Sequence, residues 1–148
     1  MDLKVETMNE RHIERCVKLF MDTFSKPPWN ERYDSTLSVR RYFEDFIEYD
    51  NFIGFVGFIG DEPAALCMGM KKPWLKGEEY YIDQFCVAHG FQRQGVGSLF
   101  LKEIEHYIIS AGLNGIMLET ERAVPAYDFY TKNGFKHLEG LVTLGKEL

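Results

Sequence analysis

The segment Gln92-Arg93-Gln94-Gly95-Val96-Gly97 constrains this chain more than any other, because of what stands on either side of it. Before it runs Tyr80-Tyr81-Ile82-Asp83-Gln84-Phe85-Cys86-Val87, rich in strand-forming residues. After it, from Ser98 to Ile109, apolar residues recur at Leu99, Phe100, Ile104, Tyr107 and Ile108, which is helical spacing. A strand, a glycine-bearing turn and a helix in that order leave backbone N–H groups unpaired at the positive end of the helix dipole. Such a corner suits a phosphate or pyrophosphate. Gly95 and Gly97 lack a Cβ, so ligand oxygens can approach the main chain. The alternative is a helix start with nothing bound to it. The segment lacks the Gly-Lys-Ser/Thr ending of a nucleotide P-loop and is not Gly-x-Gly-x-x-Gly.

The rest of the chain divides into short elements. Leu3 to Thr7 reads as a strand. From Asn9 to Phe24 the residues Ile13, Cys16, Val17, Phe20, Met21 and Phe24 form an apolar stripe, so an amphipathic helix capped by Asn9 is expected, ended by Pro27-Pro28. A second helix runs from Asp34 or Ser35 to about Tyr49, with Leu37, Tyr42, Phe43, Phe46 and Ile47 inward. Asn51–Ile59 and Pro63–Lys71 form a hairpin around Gly60-Asp61-Glu62. Gly77 opens a longer strand ending near Val87. Beyond the third helix, stopped by Gly112, come a strand at Gly115–Glu119 and a helix at Val124–Asn133 with Pro125 near its start. Two closing strands follow, near Phe135–Leu138 and Leu141–Lys146. No repeat or linker interrupts the 148 residues, which are read as a single domain, 1–148.

Composition narrows the function. With 45% hydrophobic residues the chain folds, and no apolar run approaches the roughly 20 residues that span a bilayer. No signal-peptide pattern opens it, so a cytoplasmic location without a membrane partner is expected. The net charge of −6 opposes a nucleic-acid surface and suits a cationic partner. Cys16, Cys67 and Cys86 are scattered, as are the four histidines, so neither disulfides nor a metal site is expected.

The later segment Ala126-Tyr127-Asp128-Phe129-Tyr130-Thr131-Lys132-Asn133-Gly134-Phe135 adds a second pattern. Together the two resemble the GCN5-related N-acetyltransferase superfamily, whose members bind acetyl-CoA through Gln/Arg-x-x-Gly-x-Gly/Ala and carry a later Ala-x-x-Phe-Tyr-x-x-x-Gly-Phe. Where many relatives have Asn three residues before that Ala, this chain has Ala123. The resemblance implies an α+β domain with a mixed central sheet of six to seven strands flanked by about four helices, in the order βααβββαβαββ. It also implies acetyl-CoA as co-substrate, lying where two parallel strands splay apart, without a metal. Phe85 and Val87 would offer backbone groups to the pantetheine arm. Gln92, Arg93, Gln94, Gly95, Val96, Gly97 and Ser98 would hold the pyrophosphate, with Asn133 also on the cofactor side. A homodimer is expected from family habit.

Transfer needs a neutral amine, and an alkyl ammonium with a pKa near 10.4 is neutral in roughly one molecule in a thousand at pH 7. A base is therefore required. Strand alternation puts Glu79, Tyr81, Asp83, Phe85 and Val87 on one face. Asp83, a carboxylate within an apolar strand, is the first candidate for base or amine-binding group, and Glu79 the second. The run Ile82-Asp83-Gln84 resembles the corresponding strand of aminoglycoside 6′-N-acetyltransferases. Tyr130 matches the motif tyrosine that protonates the departing thiolate in many members. A route through acetylated Cys86 is the rival, but Cys86 faces away from Asp83 and no histidine has a fixed place beside it. Trp29, Asn30, Glu31 and Tyr33, also resembling that subgroup, would border the acceptor with Tyr81, or else Trp29 plugs a helix–helix turn. The implied activity is N-acetylation of a small cationic amine by direct attack in a ternary complex. Two alternatives are acetylation of a protein N-terminus or lysine, and a non-catalytic acyl-CoA-binding domain.

Overall fold

In the computed structural model, which describes residues 2–148, a five-stranded sheet lies between two helical layers. Its strands are β1 (Leu3–Thr7), β2 (Phe52–Ile59), β3 (Glu62–Trp74), β4 (Gly77–Val87) and β5 (Ile116–Leu118), adjacent in that order. The first four pair antiparallel and β5 joins β4 in parallel. The helices are α1 (Ile13–Phe24), α2 (Thr36–Ile47), α3 (Val96–Ser110) and α4 (Pro125–Lys132).

The apolar stripes decide which face each helix covers. In α1 the stripe buries Ile13, Cys16, Val17 and Phe20; a 3₁₀ turn, Glu10–His12, leads into it and carries the Asn9 cap: Asn9 Oδ1 accepts from the Arg11 N–H, and His12 Nδ1 accepts from the Asn9 N–H. Ser35 caps α2, its hydroxyl accepting from the Ser38 N–H. Helix α2 turns Val39, Phe43 and Phe46 inward and leaves Leu37 53% exposed, so Leu37 does not join the core as the spacing suggested. Both helices pack with Val56, Leu66, Met68 and Cys86 on one face of the sheet. On the other face α3 sets Phe100, Ile104 and Ile108 against Phe55, Tyr80 and Ile82. Because both faces are covered, β2 and β3 are buried continuously rather than alternately.

Two expectations are corrected. The sheet has five strands and not six to seven, because residues 135–138 and 141–146 form no strand. Their apolar residues Leu138, Leu141, Val142 and Leu144 are 47–89% exposed. A closing hairpin with no layer to bury its face is marginal on its own. The order observed is βααβββαβα.

The second correction concerns β4. Its register against β3 shifts by one residue: Met68 pairs with Gln84, but the next residue, Gly69, pairs with Ile82. Asp83 is therefore the extra residue of a β-bulge, and the period-two alternation stops there. Phe85 and Val87 join Tyr80 and Ile82 on the α3 face, not Glu79, Tyr81 and Asp83. Only glycine fits opposite the bulge, since a Cβ at Gly69 would sit 2.3 Å from the Tyr81 carbonyl oxygen. Alanine is ordinarily the better strand residue, yet Gly69→Ala should destabilise the protein by about 1–3 kcal/mol. Urea unfolding with an unshifted midpoint would contradict that geometry.

Candidate active site: a splayed strand pair and an open helix start

Strands β4 and β5 pair over three residues only, Tyr80 with Ile116, Tyr81 with Met117 and Ile82 with Leu118. Beyond Ile82 the strands part, and β4 continues to Val87 with no neighbour on that side. Ahead of the bulge, even-numbered residues point toward β5: the Tyr80 N–H donates to Gly115 O at 2.9 Å, and Glu78 O accepts from the Asn114 N–H at 2.9 Å. Past it the parity has changed, for the Ala88 N–H donates to Ala64 O, away from the gap, at 2.7 Å. The peptide groups of Phe85 and Val87 thus turn to the open side. The Val87 carbonyl takes a bond from Gln92 Nε2 at 3.0 Å.

The gap leads to the start of α3. Arg93 (φ 61°) and Gly95 (φ 82°) take left-handed conformations and fold the chain back into the helix. Gly95 is the N-cap, and no side chain bonds to the first turn. From Arg93 to Ser98 no backbone N–H has an acceptor among the described residues. The two glycines differ in purpose. A Cβ on Gly95 would meet nothing within 4 Å, whereas one on Gly97 would meet Phe129 at 3.0 Å and Val87 at 3.4 Å. Gly95 leaves the corner open, while Gly97 lets α3 pack against α4 and β4. Around them, Gln94 Nε2 donates to Gly90 O at 3.0 Å and Val96 is core, so the side chains brace the loop and the amides remain free. Ser98 is exposed at the first turn. Asn133 caps the end of α4, its Nδ2 donating to Phe129 O at 2.8 Å.

Tyr130 stands in an aromatic cage of Phe85, Phe129 and Phe135, with ring centroids 5.3–5.9 Å away. The residue is 8% exposed, and burial pushes its phenol well above the ordinary tyrosine range. Its hydroxyl makes no side-chain hydrogen bond and is not among the sealed-off oxygens, so it opens to a cleft of about 440 Å³ that it lines with Tyr81, Glu119 and Tyr127. Asp83 is the first residue of β4 past the last β4–β5 pair, and Glu119 holds the same position on β5. Asp83 is solvent-exposed, yet partial desolvation first, and the Glu119 carboxylate second, raise its carboxyl above the usual range. Glu79 lies against Gly115, where the strands are still paired. At about 3.3 Å per residue that is roughly 13 Å from Asp83 along the strand.

Glu119 escaped the sequence reading. Its oxygens accept from the Tyr81 hydroxyl at 3.2 Å and the Thr143 hydroxyl at 2.8 Å. Its only sequence signal is a carboxylate directly after the three apolar residues of β5.

In the loop after α1 the aromatic residues turn inward. Trp29 packs edge-on against Phe24 at 5.0 Å, and Tyr33 lies 6.0 Å from Phe20, so both rings extend the α1 core. The Tyr33 hydroxyl is buried without a partner, and Glu31 is exposed beside it. Cys16, Cys67 and Cys86 are all buried, and desolvation pushes the thiols of Cys16 and Cys67 up to about 12 and that of Cys86 higher still. That environment disfavours the thiolate a Cys86 nucleophile would need. Among the described residues no cluster of three or more potential metal ligands forms, and no helix is long and apolar enough to cross a membrane.

Residues 13–135 match the model of the Acetyltransferase (GNAT) family. None of the curated proteins compared matches the chain. Among solved structures, a transcriptional regulator from Bacillus halodurans is similar at 21% identity with a TM-score of 0.79, covering 99% of this chain and 100% of that one. An aminoglycoside acetyltransferase, meta-AAC0020, from an uncultured soil metagenomic sample shares 19% identity at a TM-score of 0.77, covering 99% and 96%. AAC(6')-Iy in complex with the bisubstrate analog CoA-S-monomethyl-acetylneamine shares 14% identity at 0.75, with both chains covered in full. At these identities the structures attest the fold alone.

The thiol environments can be checked directly. Alkylation of the folded protein at pH 8 should be slow at all three cysteines and complete only in denaturant. Rapid labelling of Cys86 in the native state would contradict its burial.

Proposed function

The chain belongs to the Acetyltransferase (GNAT) family, and on that premise we propose that it transfers acetyl from acetyl-CoA to the primary amine of a small cationic acceptor. The observation that carries this reading is the free edge of β4 running into the unpaired amides of α3. Those groups fit acetyl-CoA: the N–H groups of Arg93 to Ser98 suit its diphosphate, and the Phe85 and Val87 peptides suit the amide-bearing arm. Bound there, it supplies an activated acetyl thioester.

The residues around the cleft supply the proton chemistry. Asp83, with its raised carboxyl, takes the proton from the acceptor ammonium and leaves a nucleophilic amine. Tyr130 remains a phenol across the working pH range and hands its proton to the departing thiolate. The cage that disfavours a phenolate also disfavours a thiolate, so the two pKa values rise together and the transfer stays feasible. Glu119 lines the cleft together with Arg122 and Lys136, and Asp83 stands beside it where the strands part, so the cationic acceptor is received at that carboxylate pair, while Glu31 adds to the acidic surface of the loop after α1. Glu79, at the paired end of the strands, is the weaker candidate for base.

Thiol release from acetyl-CoA across a panel of polyamines, aminoglycosides and lysine peptides tests the assignment. Stimulation by a small polycationic amine is expected. Binding of acetyl-CoA with no release under any amine would leave a non-catalytic acyl-CoA-binding domain. Tyr130→Phe should lower turnover by about 10²–10⁴ with little change in CoA affinity. Asp83→Asn should depress activity most at low pH, where the acceptor is most protonated. A profile parallel to that of the unmodified protein would clear Asp83.

A further inference from the structure

Glu119 and Asp83 are successors of the last paired residues, Leu118 and Ile82, so they face each other where the two strands begin to part. Glu119 is held from both sides, its Oε1 by the Tyr81 hydroxyl and its Oε2 by the Thr143 hydroxyl. Tyr81 is itself flanked by Lys72, whose ammonium lies 5.4 Å from the ring centre. A free surface glutamate samples many rotamers, whereas one with a donor on each oxygen is fixed in place. The same cleft is lined by Tyr130, a side chain 8% exposed whose hydroxyl has no hydrogen-bond partner among the described residues.

We propose that Glu119 is a positioning residue of the acceptor site: clamped by Tyr81 and Thr143, it faces Asp83 across the mouth of the splay, and the two carboxylates together receive the incoming ammonium. This rests on the reading of Asp83 as the base. In the step it serves, an N–H bond of the ammonium breaks and an O–H bond forms on Asp83. The nitrogen keeps the electron pair for attack.

The groups that face Asp83 identify Glu119 as the one that matters. Tyr81 and Glu119 lie on its side of the β4–β5 pair, with the Lys72 ammonium over the Tyr81 ring, whereas Cys67 and Tyr80 belong to the α3 face. Of these, Glu119 is the acidic group that acts on the Asp83 carboxyl. Its negative charge disfavours a second anion nearby and so makes Asp83 a better proton acceptor.

The test reads Asp83 itself and needs neither acceptor nor cofactor. The full-length protein is labelled with carbon-13 and the Asp83 carboxyl signal is followed by NMR across pH, with Asp83→Asn used to assign it. The midpoint is expected above the ordinary aspartate value of about 3.9. Glu119→Gln should lower it by about half a pH unit or more. Tyr81→Phe, which keeps both carboxylates but releases one clamp, should lower it less. A midpoint identical in the unmodified and Glu119→Gln proteins would overturn the role given to Glu119. Should Glu119→Gln fail to fold, Tyr81→Phe decides by the same criterion. A wrong functional reading would show separately, as a silent amine panel with these midpoints still shifted.

Discussion

One unpaired residue in β4 organises this molecule. The bulge at Asp83, admitted by the missing Cβ of Gly69, reverses which peptide groups of β4 point sideways. Ahead of it those groups complete the ladder to β5, and after it a fresh set faces empty space. The parting of the strands, the free edge at Phe85 and Val87, and the placement of Asp83 at the apex all follow from that shift. The alternative, a regular strand, would leave Phe85 and Val87 bonded toward β3 and their side chains on the opposite face.

Two packing arrangements hold the parted strands in place. On the α3 face, Phe85 lies among Phe100, Phe129 and Tyr130 at 5.5–5.9 Å, tying the free part of β4 to both helices of that side. Gly97 lets Phe129 reach that cluster. On the other face Gln84, the residue next to the bulge, donates to the Tyr42 hydroxyl of α2 at 3.2 Å. The cluster that fixes the gap is also the cage that raises the pKa of Tyr130, so the same aromatic rings set the shape and keep the phenol protonated.

Much of this was legible in the residues. The strand, turn and helix around Gly95, the apolar stripe of α1 and the cap at Asn9 all depend on local spacing and local hydrogen bonds, which sequence records directly. The bulge was not legible, because Ile82-Asp83-Gln84-Phe85 continues a plausible period of two and its interruption depends on Gly69 in a neighbouring strand. Glu119 was missed for a similar reason, since its partners Tyr81 and Thr143 are distant in the chain. The packing role of Gly97 was not legible, because a glycine opened to a ligand and one filled by a phenyl ring look alike in a sequence. The closing strands were read from apolar residues that the fold leaves exposed, where pattern without a packing surface does not make a strand.

The parity change in β4 carries a consequence for how this chain tolerates alteration in length. Adding or deleting one residue between Asp83 and Val87 would swap every donor and acceptor on the free edge to the opposite side and draw the rings of the α3 cluster out with them. The same event in the loop after α1 would displace only a surface turn. Length variation among variants of this protein should therefore collect around the loop after α1, while the five residues from the bulge to the end of β4 keep a fixed count even where their side chains change.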